Sequence, residues 1–215
     1  MSDNKLLLEG DDDKHLVIGL LRSHLGEDVF NSLFPKSEEP IKVKGSVSKV
    51  ISDLEQEITS TGYKHIGVVI DTDEDIMSSW GKIILILEKH NISYPSMPAS
   101  AGTIIDIDED RRIGFWFMPN NQSPGALEDF FVKLIRTSDD LWPRSKGVVK
   151  KIPHRKRRFR HANKSDILKA QVHTWLAWQH KPGLHMNRNK NLQYLDLNHP
   201  NALAFVNWIK RLLAD

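Results

Sequence analysis

Two short apolar runs in this chain stop at carboxylates. Leu6-Leu7-Leu8 runs into Glu9-Gly10-Asp11-Asp12-Asp13, and Val68-Val69-Ile70 runs into Asp71-Thr72-Asp73-Glu74-Asp75. A strand buried on both faces reads as such a run, and its C-terminal end is where open α/β sheets place ligands. Side by side, the two ends crowd several carboxylates together, and a cation between them relieves the repulsion. Oxygen-only donors select a hard ion, so the expected cofactor is Mg²⁺ or Mn²⁺.

Each acid has a reading as a ligand and a plainer one. Asp71 and Asp73 are two apart, which puts both side chains on one side of an extended chain and lets them chelate one ion. Four acids among the five residues from Asp71 to Asp75 exceed what a capped turn needs, so Asp75 stays in the candidate ligand set. Glu9 stands at a strand-to-loop transition, and Gly10 allows the close approach of a ligand. Asp13, at the head of the following helix, reaches toward the same ion. The plainer alternative for Asp11 to Asp13 is N-capping and compensation of the helix dipole. Glu128 and Asp129 open a helix after a Pro/Asn/Ser/Gly loop, where acids are ordinarily dipole partners. The acidic run is not a calcium helix-loop-helix loop, because the glycine and the terminal glutamate of that motif are missing.

A net charge of +2 hides an asymmetry. The stretch from Arg144 to Lys164 holds ten Lys or Arg and no acid, which leaves 20 basic residues against 28 acidic ones elsewhere. Within it, Arg155, Lys156, Arg157, Arg158 and Arg160 are candidate phosphate contacts, with Phe159 available to stack on a base. The alternative is a solvated basic loop. The expected partner is nucleic acid, DNA before RNA.

The elements that must position these residues follow from hydrophobic period and caps. Lys5 to Leu8 is a strand, followed by a helix from Asp12 or Asp13 to Leu25. Ile41 to Val43 is a short strand. Ser46 caps a helix ending before Gly62, and His65 to Ile70 is the next strand. A helix follows across Trp80 to Lys89. Thr103 to Ile107 and Arg112 to Met118 form a hairpin, and Ala126 to Ile135 an amphipathic helix. Pro143 and Pro153 argue against a continuous helix in the basic stretch. Ser165 caps a helix through Gln179, in which Trp175 and Trp178 read as packing residues, and Pro200 starts the last helix. The alternation predicts an α/β fold, a mostly parallel, Rossmann-like sheet with helices on both faces, plus a hairpin and a helical C-terminal part. The expected organisation is a core over 1–143, a basic loop or arm over 144–164, and C-terminal helices over 165–215 packed on the same domain.

Other classes are set aside. The chain has no cysteine and thus no disulfide or thiolate site. It has no apolar run approaching the ~20 residues of a membrane span, and no signal peptide. These favour a cytoplasmic protein without a membrane partner. No Gly-rich phosphate loop marks an ATPase.

Leu6-Leu7-Leu8-Glu9-Gly10 and Ile70-Asp71-Thr72-Asp73, in that order, resemble the Toprim domain of topoisomerases, bacterial primases, recombination mediators and the OLD-type nucleases. The resemblance covers roughly residues 5–135 and is closer to the OLD type, which has a further acid where Asp13 stands. The whole chain also looks like a small stand-alone bacterial family of Toprim-like proteins of unknown function. In that family a Trp-x-Met-Pro-Asn-x-x-x-x-Gly-x-Leu-Glu-Asp stretch recurs, as Trp116 to Asp129 does here. The resemblance implies metal-dependent phosphodiester cleavage, with Glu9, Asp71 and Asp73 catalytic. It draws Glu128 into the metal set and Lys169 into the phosphate contacts. The chain has no ATPase, tyrosine or zinc domain of those enzymes. A non-catalytic nucleic-acid or protein binding module, a subunit served by a separate ATPase partner, and a homo-oligomer therefore stay open.

Overall fold

The computed structural model describes residues 3–60, 62–153, 156, 164–182 and 189–214. Five strands form one sheet in the order β2-β1-β3-β5-β4. They are β1 (Asn4–Leu8), β2 (Ile41–Val43), β3 (His65–Asp71), β4 (Thr103–Asp106) and β5 (Arg112–Met118). The β1–β2, β1–β3 and β3–β5 pairs are parallel, and β4 closes one edge as the antiparallel arm of a hairpin with β5. The fold is α/β and mostly parallel.

Side chains along the strands alternate between two apolar layers, as the pleat requires. Leu6, Leu8, Val69, Trp116 and Met118 enter one layer, and Leu7, Val68, Ile70, Phe115 and Phe117 the other. The second layer is filled by α3 (Val47–Thr59) and α4 (Ile76–Lys89). The first takes α1 (Asp11–Leu25), α2 (Glu27–Leu33), α5 (Leu127–Leu134), α7 (Lys164–Ala177) and α8 (Pro200–Leu212). These C-terminal helices share the core of the sheet rather than forming one of their own.

Two glycines explain how α8 seats. Gly67 and Gly114 are register partners on adjacent strands. A Cβ on Gly114 would stand 2.9 Å from a Leu212 methyl and 3.0 Å from the Trp208 ring. The bare backbone is therefore the floor on which Trp208 and Leu212, both fully buried, lie flat. Aromatic packing continues from there, with Trp116 and Phe205 in edge contact at 5.3 Å.

Three expectations change. The fourth helix starts at Ile76, not Trp80, because Asp75 accepts hydrogen bonds from the amides of Met77 at 2.9 Å and Ser78 at 3.1 Å. Residues 144–151 of the expected basic loop belong to a helix, α6 (Leu141–Lys151). Pro143 is tolerated there because it lies in the first turn, where its missing N–H would have no intrahelical partner, and Pro153 falls beyond the end. Trp175 is buried as expected, but Trp178 is 40% exposed. Among the described residues no helix is long and apolar enough to cross a membrane.

Candidate metal centre and its cleft

The chain leaves β1 toward β2 on one side and returns to place β3 on the other. The C-terminal ends of β1 and β3 therefore flank the point where the strand order reverses, the place where open α/β sheets bind ligands. Glu9 follows β1 directly and Asp71 ends β3. Both strand ends are fixed from outside. The Glu9 carbonyl accepts from the Gly45 amide at 2.7 Å, and Asp71 Oδ1 accepts from the Leu127 amide at the start of α5 at 3.0 Å.

Four of the predicted residues converge. Glu9, Asp13, Asp71 and Glu128 are each held wholly or largely out of solvent, and all four carboxyls are pushed above the usual carboxylate range. Burial is the main cause in every case. For Asp71, pushed up to about 9, the charges of Asp13, Glu9, Glu128 and Asp73 add to it. Asp13 is pushed up to about 7 by burial and then by Glu9. Asp73 raises Glu9 further, while the Asp71 amide and Lys169 offset part of that rise. The Lys169 ammonium stands 3.9 Å from Glu128 Oε1 and lowers Glu128 against the effect of burial.

Two buried oxygens are left over. Among the described residues, Glu9 Oε2 and Asp13 Oδ1 have no hydrogen-bond partner. Asp13 is only 5% exposed, and its other oxygen accepts from the Gly10 amide at 3.1 Å. Buried carboxylate oxygens are normally satisfied, so a pair of orphans facing like charges is costly unless a cation completes them. The donor set is all oxygen, which fits Mg²⁺ or Mn²⁺. Among the described residues, no three His, Asp or Glu side chains are already drawn together as a finished ion shell.

The remaining predicted residues are placed less centrally, with Asp73 and Asp75 on the lining of an adjoining cleft. Asp73 takes a left-handed turn, with φ of 47°, in the loop after β3. Asp75 spends both oxygens on the N-cap of α4. Lys156 is described as an exposed residue, and Arg155, Arg157, Arg158 and Arg160 lie outside the described residues.

Sequence reasoning missed the latch that sets the two site loops against each other. The amides of Thr72 and Asp73 both donate to the Gly125 carbonyl, at 2.9 and 3.0 Å. Thr72 Oγ1 donates to the Met118 carbonyl at 2.9 Å and accepts from the Gly125 amide at 3.1 Å. Gly125 has φ of 155°, and a Cβ there would stand 2.8 Å from Asp129 Oδ2. That oxygen accepts from the Ala126 amide at 3.1 Å, so Asp129 caps α5 as Asp13 caps α1. A cleft of about 930 Å³ opens beside this latch, lined by Asp71, Asp73, Asp75, Asp129 and the lysines Lys82, Lys164 and Lys169. Ser78 and Lys82 line it together because they are four apart on α4.

No curated protein and no solved structure matches the chain. One family model, described as a protein of unknown function, matches residues 3–214, and on that match the chain belongs to the DUF3226 family.

Proposed function

We propose that this protein is a Mg²⁺- or Mn²⁺-dependent phosphodiester-cleaving protein acting on nucleic acid, with a Toprim-like acidic site. The observation that carries the reading is the pair of orphaned carboxylate oxygens, Glu9 Oε2 and Asp13 Oδ1, beside the end of β3. The order Glu9 then Asp71-x-Asp73 at the C-terminal ends of the adjacent parallel strands β1 and β3 is the other support.

Asp71 and Asp73 would hold one ion, with Glu9 as a further ligand or the general acid/base. Asp13 and Glu128 would hold a second. When bound, the ion polarises a phosphoryl oxygen and lowers the pKa of a water. Lys169 would meet a phosphate oxygen at the rim; its ammonium, 3.9 Å from Glu128 Oε1, supports that role. The Thr72–Gly125 latch keeps the Asp71 loop and the start of α5 in fixed relation, which limits rearrangement when charge develops.

The test compares the wild type with an Asp71→Asn/Asp73→Asn double variant on labelled DNA and RNA, with Mn²⁺, Mg²⁺ or EDTA. The expected result is cation-dependent cleavage by the wild type and none by the variant. Cleavage that survives the double substitution contradicts the assignment. Binding that persists in EDTA without turnover assigns a non-catalytic binding role.

A further inference from the structure

The cleft beside Asp71 is bounded by the start of α7, and the helix paired with α7 carries a concentrated positive charge. Over its length α6 has Arg144, Lys146, Lys150 and Lys151 and no acid. It buries Ser145 and Val149, which leaves Arg144, Lys150 and Lys151 exposed. The two helices run antiparallel. Asp139 Oδ1 accepts from the Trp142 amide at the start of α6, at 2.6 Å, and from the Trp175 indole near the end of α7, at 3.0 Å. The basic C-terminal end of α6 therefore lies at the same end of the pair as Lys164 and Lys169, which line the cleft. Cations thus run from the surface of α6 to the acidic centre.

The cleft itself limits what can follow that track. Among the described residues it encloses about 930 Å³, room for a short stretch of one strand rather than for both strands of a duplex. No aromatic side chain among the described residues lines it, so none of them offers a base a stacking surface there. Its polar lining among the described residues is hydroxyls, the three lysines, and carboxylates that include Glu74 and Asp166 beside Asp71 and Asp73.

We infer that the α6–α7 hairpin guides one unpaired phosphodiester strand into this cleft, and that the strand is held by its phosphates without regard to base identity. The inference rests on the phosphodiester-cleaving reading above and adds the form of the substrate to it. A single strand binds through counterion release, so its affinity falls linearly with salt on a log–log scale.

The test measures fluorescence anisotropy and cleavage in Mn²⁺ on strands of about 20 nucleotides, a length that covers several phosphate contacts. The probes are single-stranded DNA, single-stranded RNA, the same DNA with abasic sites, and blunt duplex DNA. The proteins are the wild type, Lys150→Glu/Lys151→Glu, and Lys150→Arg/Lys151→Arg. Abasic and ordinary strands are expected to bind alike, and duplex roughly tenfold more weakly. The charge reversal is expected to weaken strand binding about tenfold and to flatten the salt slope by about 1.4, at ~0.7 per lost contact. The arginine variant should bind like the wild type. Equal binding of duplex, a large loss on abasic strands, or an unaffected Glu variant each overturns the inference. A strand bound in this pattern but never cut leaves the guide standing and refutes the cleavage reading. Cutting without strand or charge selectivity does the reverse. No binding and no cutting refute both.

Discussion

The two ends of the central sheet treat buried polar groups in opposite ways. At the N-terminal end of the parallel strands the polar side chains of the strands themselves are matched. Lys5 pairs with Glu57 and lies over the Tyr63 ring at 4.5 Å. The Asn4 and His65 side chains hydrogen-bond at 2.7 Å, and Asn4 also donates to the Leu33 carbonyl at 3.0 Å. Arg111 donates to the Ser60 carbonyl at 2.6 Å, and Arg112 to that of Ala214 at 2.7 Å. At the C-terminal end, Glu9, Asp13, Asp71 and Glu128 crowd together, and among the described residues two of their buried oxygens have no hydrogen-bond partner, while Lys169 forms an ion pair with Glu128 alone. One end is finished for stability. The other bears a strain that a ligand can relieve, and such perturbed carboxyl groups cluster at functional sites.

This contrast is open to attack by substitution. The largest effect is expected at the finished end. Glu57→Ala leaves the Lys5 ammonium buried without its partner and should cost about 3 kcal/mol in urea unfolding. At the unfinished end the sign reverses. Asp71→Asn keeps an oxygen to accept from the Leu127 amide and removes a charge that is disfavoured there. It should stabilise the metal-free protein at neutral pH, by roughly 1 kcal/mol or more. A loss of stability would show that Asp71 is held by its surroundings as firmly as Lys5 is.

The same strain predicts a pH dependence. The folded carboxyls of Asp71 and Asp13 are raised to about 9 and about 7, above the 3.8 of an ordinary aspartic acid. Between those values the folded state binds more protons than the unfolded one, so stability falls as pH rises. The contribution is complete below about pH 4 and is lost progressively up to about pH 9. Metal-free thermal unfolding should therefore show a falling melting temperature across that window, and Mn²⁺ should flatten the curve. The smallest effect belongs to Asp75. Asp75→Ala should cost about 1 kcal/mol as a lost helix cap while leaving the response to Mn²⁺ unchanged, which separates cap from ligand.

How far the sequence carried the account differs from residue to residue. The strand ends at Glu9 and Asp71 were legible because a doubly buried parallel strand is one apolar run, and its boundary is abrupt. The role of Asp75 was not, since a capping aspartate and a chelating one have the same neighbours along the chain. α6 was hidden by Pro143, which breaks a helix in the middle but not in its first turn. Trp175 and Trp178 are three apart, and only the position of α7 against the core decides which is covered. The Thr72–Gly125 latch joins residues 53 apart, so no local pattern announces it. The orphaned oxygens of Glu9 and Asp13 are a property of packing, and no composition or spacing encodes them.

The central claim is that the C-terminal end of the sheet awaits a divalent cation. The most direct measurement is a titration of Mn²⁺ and Mg²⁺ into the wild type, Asp71→Asn and Asp13→Asn, followed by calorimetry and melting temperature. Saturable binding by the wild type is expected, with about 2.7 kcal/mol of stabilisation at a hundredfold excess over Kd. Both variants are expected to be folded, at least as stable without metal, and clearly weakened in their response to it, each having lost a ligand of one ion. A wild type that takes up no cation, or variants that respond as the wild type does, would contradict the claim.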